Sequence, residues 1–298
     1  MQARSFAIIL LLAFQTTRIS EASAASKDTQ SSGDQTQGLG RGCEIVVPNS
    51  DVNKITIFIQ KSGKYCLDRD YTFTCTIFHH GCSGQFILIE ADDVELDMKG
   101  HSLSGGRAYT GVYAFGRNIS IRNGVLKGLA IGVEMGHGSR SMPYYARPGA
   151  NERKKSPFAT TNFHVENMII QDADYGILLG GAGNVIRDNK LTCSLFGPVG
   201  NKEYGKVAKI GLMNYGSNVL IENNEIEMRS VSSENRSYGI YLRNATDSIL
   251  KGNEISITGD GAKIGLEIYQ SRNVKLRDNV LPELEFPIML DEESSIDK

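Results

Sequence analysis

The chain has 298 residues, with 32 Lys and Arg against 34 Asp and Glu, a formal net charge of −2, 40% apolar residues and no Trp. That balance excludes nucleic acid as a general partner, because neutralising phosphates needs a clear basic excess. The 32 Gly and 19 Asn, 17 of the latter from Asn118 onward, accompany abundant Val, Ile and Leu, which excludes a disordered polymer or a helical bundle and points to turn-rich β structure.

Residues 1–24 read as a secretory signal: Arg4, the apolar run from Phe6 to Phe14, and the small residues Ala22-Ser23-Ala24 before a cut. The run is too short to span a bilayer, so the expectation is a secreted, periplasmic or extracellular protein without membrane attachment after cleavage. Residues 25–42 are Ser-, Gln- and Gly-rich and read as a flexible linker. Cys43, Cys66, Cys75 and Cys82 crowd the next segment, 43–84, which reads as an N-terminal cap. In an oxidising compartment they form two disulfides, with all three pairings open. Cys193 stands alone and reads as a buried small hydrophobe. Sequons begin at Asn118, Asn235 and Asn244 and act as glycan acceptors only in a source with that machinery.

From 85 to 282 the chain repeats itself. Asn118-ISIRNGVL, Asn162-FHVENMII, Gly183-NVIRDNKL, Asn218-VLIENNEI, Asp247-SILKGNEI and Asn273-VKLRDNVL share apolar fourth and ninth positions and an Asn near the sixth or seventh, with Asp93-VELDMKGHSL as a looser copy. Starts lie 25, 44, 21, 35, 29 and 26 residues apart, a short unit with insertions. A Gly-apolar-x stretch precedes each copy, at Gly111, Gly132, Gly176, Gly211, Gly239 and Gly265. Alternation at this scale belongs to strands with one buried face, and such a unit buries its apolar face only by stacking on its neighbours. The predicted unit is a coil of three short strands. Asn189, Asn224, Asn253 and Asn279 share one register, where a left-handed turn and an amide ladder between coils are expected.

The repeat resembles the right-handed parallel β-helix proteins of the pectin lyase-like superfamily. Ser62-GKYCLDRD and Gln85-FILIEADDVELDMKGHSLSG are similar to the first coils of secreted members. The resemblance implies an all-β, single-stranded right-handed parallel β-helix, here of about seven or eight coils. Its members include pectate and alginate lyases, polygalacturonases, mannuronan C5-epimerases and non-catalytic surface proteins, so it implies activity only loosely. The Asn-Thr-Asp and Asp-Pro-His-Asp elements of two of those groups are absent.

Insertion 137–160 leaves the first strand, and segments 192–210 and 228–238 lead back into it, so a groove is expected on the outer face of that strand. In the resembled enzymes the substrate lies there. Alternation turns Tyr113, Glu134, Tyr215, Tyr241, Arg243, Glu267 and Tyr269 onto this face. With Phe115, aromatics fill five of twelve outward positions against 8% of the chain, an enrichment suited to stacking on sugar rings. The insertion itself carries Arg140, Arg147, Arg153, Lys154 and Lys155 against Glu152. A basic, Tyr-bearing loop suits a polyanionic sugar. Elimination or epimerisation beside a carboxylate needs a base, a proton donor and a charge stabiliser; the candidates are His137 and Tyr145 or Tyr144, with Arg140 or Arg147 as stabiliser. The ordinary reading is a solvated loop. Asp172 and Asp174, with Glu134, are the candidate ligands for a calcium ion, although paired acids at a turn are ordinarily just solvated. The competing function is a non-catalytic glycan-binding or surface-structural β-helix. A copper-handling β-helix lacks the required His and Met along one face. The acidic segment 283–298 is expected to end the coil as a fraying tail. Oligomeric state is left open by the sequence.

Overall fold

The computed structural model describes residues 42–46, 56–73, 84–106, 109–136, 161–194 and 208–297, all within one compact unit, Arg41–Lys298. The signal and linker segments lie outside the described residues, as do Cys75, Cys82 and the insertion 137–160. Every named strand pairing is parallel, and each strand pairs with the equivalent strand one coil away.

The first sheet stacks β2 (Ile57–Ile59), β5 (Gly84–Glu90), β8 (Tyr109–Phe115), β10 (Ile131–Met135), β12 (Tyr175–Gly180) and β15 (Ala208–Tyr215). It continues through the second halves of β17 (Glu225–Arg243) and β19 (Glu254–Tyr269) to β21 (Phe286–Leu290). The second sheet runs from β1 (Glu44–Ile45), β3 (Gly63–Cys66) and β6 (Val94–Asp97) through the first halves of β9 (Arg117–Lys127) and β11 (Thr161–Ala173). It ends with β13 (Val185–Arg187), β16 (Leu220–Glu222), β18 (Ile249–Lys251), β20 (Val274–Arg277) and β22 (Ile296–Asp297). The third sheet joins β4 (Tyr71–Phe73), β7 (Ser102–Gly105) and β14 (Lys190–Ser194) to the remaining halves of β9, β11, β17 and β19. Nine strands in the first sheet at ~4.8 Å spacing make a stack of about 38 Å.

Inward positions form one continuous core. Val112, Val133, Ile177, Leu212 and Ile240 lie in register from coil to coil with no exposure. The segment read as a cap contributes β1 to β4, which pair in register with later coils, and Cys43 and Cys66 form a disulfide there. The acid-rich segment carries β21 and β22, so its described part continues the stack rather than hanging from it.

The expected ladder runs through the corner between the second and third sheets. Asn189 Nδ2 donates to Asn224 Oδ1, Asn224 to Asn253 and Asn253 to Asn279, each at 2.9 Å. Each amide also donates to a backbone carbonyl, Val165, Ile186, Ile221 or Leu250. The left-handed residue, however, is the one before the ladder: Asp188, Asn223, Gly252 and Asp278 have φ between 52° and 62°. Separating the two roles leaves the ladder Asn free to point inward while its predecessor makes the turn. A second left-handed line, Asp93, Asn118, Asn162, Gly183, Asn218, Asp247 and Asn273, marks the start of each repeat. Asn162 donates to Asn118 and Asn118 to Asp93 along it.

Candidate functional site

The glycine near the start of the first-sheet strand in each of the six repeats from Gly111 to Gly265 has a steric cause. A Cβ on Gly176 would lie 2.3 Å from the Gly211 carbonyl, and one on Gly239 would lie 2.3 Å from Ile255 Cγ2 and 2.8 Å from the Gly265 carbonyl. Between the residue before this glycine and the one after it, the chain swings from the outer face to the core. The outer face then carries two files fixed by register. One runs Leu88, Tyr113, Glu134, Leu178, Met213, Tyr241, Glu267, Met289. The other places Tyr215, Arg243 and Tyr269 on successive coils. The outward positions expected from alternation are thus brought together on one face.

The face is not uniformly open. Leu178 and Met213 are buried at 6% and 7% exposure, in a cluster with Ile131, Tyr175, Ile210, Tyr238 and Ile264 that is separate from the core. The last five of these occupy the position immediately before the glycine, which two-residue alternation does not mark as outward. The signal was present: that position is apolar or Tyr in five of the six repeats from Thr110 to Ile264.

Polar groups gather at the later coils. The Arg243 guanidinium carbon lies 5.8 Å from the Tyr215 ring centre and 5.2 Å from that of Tyr269, held by both ring faces. Its Nε is buried and has no hydrogen-bond partner among the described residues. One file over, Tyr238 and Tyr241 meet edge to face at 5.9 Å. Arg236 and Glu267 both lie beside the Tyr238 hydroxyl, Arg236 favouring its ionised form and Glu267 opposing it. One carboxylate oxygen of Glu267, Oε2, is buried and unpartnered among the described residues. Burial pushes both tyrosine hydroxyls above their usual range. It also raises the Glu267 carboxyl, with Asp291 adding to the effect and Arg236 and Tyr238 opposing it.

Earlier on the same face, Tyr113 packs edge to face on Phe115 at 4.5 Å, and Glu134 sits in register between Tyr113 and Leu178. Asp174 pairs with Lys209 at 3.2 Å, both side chains nearly buried, with Lys209 Nζ 5.3 Å from the Tyr175 ring centre. Asp172 accepts a hydrogen bond from Ser194 at 3.3 Å. Among the described residues no group of three His, Cys, Asp or Glu side chains is arranged to hold a metal ion. Cys193 is buried in the core, and desolvation pushes its thiol up to about 12. The catalytic candidates His137, Tyr144, Tyr145, Arg140 and Arg147 lie outside the described residues.

Residues 158–287 match the family model described as the right handed beta helix region, and the stack is accordingly a right-handed parallel β-helix. No curated protein matches. Among solved structures, the chain is similar to the A-module of the mannuronan C-5 epimerase AlgE4 of Azotobacter vinelandii, at 11% identity and a TM-score of 0.32, over 84% of this chain and 87% of that one. It is also similar to the AlgE6 A-module of the same organism, at 10% identity and a TM-score of 0.27, over 85% and 90%.

Proposed function

We propose that the outer face of the first sheet binds an acidic polysaccharide, a uronate polymer, outside the cytoplasm. The observation that carries this reading is Arg243, clasped between the rings of Tyr215 and Tyr269. A planar guanidinium fixed by two rings has its rotamer set in advance and offers a fork suited to a sugar carboxylate, while the rings offer apolar faces to the pyranose. The Cys43–Cys66 disulfide supports an oxidising compartment.

The finer reading is that the bound uronate is modified by β-elimination or C5-epimerisation. Both begin by removing the proton beside the carboxylate, and Arg243 would stabilise the charge that develops. Tyr241, kept protonated by burial, is suited to donate a proton. The base would come from the sequence candidates His137 and Tyr145. The same raised tyrosines favour the second reading, a non-catalytic binding module, because neither Tyr238 nor Tyr241 is a base near neutral pH.

Retention on immobilised alginate and pectate, against neutral glucan, tests the binding. Wild type is expected to be retained on a uronate polymer, with Arg243→Gln weakening retention at least tenfold. No retention of wild type on either polymer overturns the proposal. Absorbance of unsaturated uronate ends and proton NMR of C5 inversion, with and without calcium, then separate modification from binding.

A further inference from the structure

Glu267 is an unusual neighbour for a polyanion site. It lies in the outward file between Tyr241 and Met289, one file from Arg243, on the face where the carboxylated chain would lie. The Tyr238 hydroxyl lies beside its carboxylate, and its Oε2 is buried without a partner among the described residues. A ligand carboxylate laid across this face brings a second anion toward the first and removes more of the water screening them, so the ionised form of Glu267 opposes binding.

We infer that polyuronate binding on this face is coupled to uptake of a proton by Glu267, so that the site binds tightly in mild acid and releases as the pH rises. The inference rests on the binding reading above and assigns its regulation. Facing Glu267 from β17 are Arg236 and the Tyr238 hydroxyl, which favour its ionised form, together with Tyr241. From β21 come Met289, which is uncharged, and Asp291, which disfavours it. Asp291 is held low by the Ser294 hydroxyl and by the Gln270 N–H, and the two tyrosines are pushed up, so these three keep their charge state while Glu267 changes its own. Burial already raises the Glu267 carboxyl in the free protein, and a bound polyanion raises it further. By linkage, affinity then falls by up to tenfold per pH unit once the pH exceeds the pKa of Glu267 in the free protein, until it passes the pKa in the complex.

The test is calorimetric titration of the full chain with an alginate oligomer, from mild acid to slightly alkaline pH, in buffers of different ionisation enthalpy, with a neutral glucan oligomer as control. Wild type is expected to take up close to one proton per binding event between the two pKa values, with affinity falling toward alkaline pH. Glu267→Gln is expected to bind with a flat pH profile, near the affinity wild type reaches in acid. The proton count in wild type stands by itself should the variant fold poorly. Wild-type binding without proton uptake, or a Glu267→Gln variant that keeps the wild-type slope, overturns the coupling while leaving the binding reading intact. Absence of alginate binding at every pH, with circular dichroism showing folded protein, overturns both.

Discussion

Removing Asn224 tests whether the amide ladder holds neighbouring coils together. Asn224 is 1% exposed. Its Nδ2 donates to Asn253 Oδ1 and to the Ile186 carbonyl at 2.9 Å, and its Oδ1 accepts from Asn189 Nδ2 at 2.9 Å and from the Asn189 N–H at 3.2 Å. In Asn224→Ala the Asn189 amide keeps Val165, and Asn253 Oδ1 keeps the residue 224 N–H. The Asn189 N–H and the Ile186 carbonyl are left buried without these partners. At about 1–3 kcal/mol for each orphaned group, plus a small cavity, the expected loss is about 3–5 kcal/mol, a large part of a typical domain's stability of about 5–15 kcal/mol. The control is Asn223→Ala, one residue away, exposed, left-handed at φ 53° and holding one 3.3 Å bond to Asp188; its expected cost is about 1 kcal/mol. Urea unfolding followed by circular dichroism and tyrosine emission, the chain having no Trp, measures both. Equal costs for the two variants would refute the ladder argument, since burial and reciprocity are what separate them.

Gly239→Ala should destabilise by about 2–3 kcal/mol through overlap with Ile255 and the Gly265 carbonyl; an unchanged urea midpoint would show that the coils can separate at no cost. The Arg117 side chain holds Asp92 below the usual carboxylate range. A carboxyl lowered on folding contributes stability that is full above its unfolded pKa and lost as pH falls through the folded one. Wild type should therefore lose stability below about pH 4, whereas Asp92→Asn gives a flatter acid limb and costs at most about 1 kcal/mol at neutral pH. Cys193, buried with its thiol pushed up to about 12, should resist iodoacetamide at pH 8 in the native protein and react on unfolding; peptide mapping that finds it labelled in the native state would contradict its placement in the core.

Periodicity in the sequence alone determined the coil, its register and the ladder. An apolar alternation of two residues, repeated with a glycine and an asparagine at set offsets, can bury its faces only by stacking in register, and register carries Asn189 onto Asn224 and Tyr215 onto Arg243. Three matters needed the tertiary structure. Which residue takes the left-handed turn depends on whether a side chain must point inward at that corner, so the role fell to Asn223 and its equivalents rather than to Asn224. The file before the glycine became a second apolar cluster because the chain swings outward there, a bend that two-residue alternation does not contain. The clasp of Arg243 by two rings, and the burial of a Glu267 oxygen beside Tyr238, arise from residues on different coils. Their distances and desolvation are set by how the coils pack, and no spacing along a single chain encodes them.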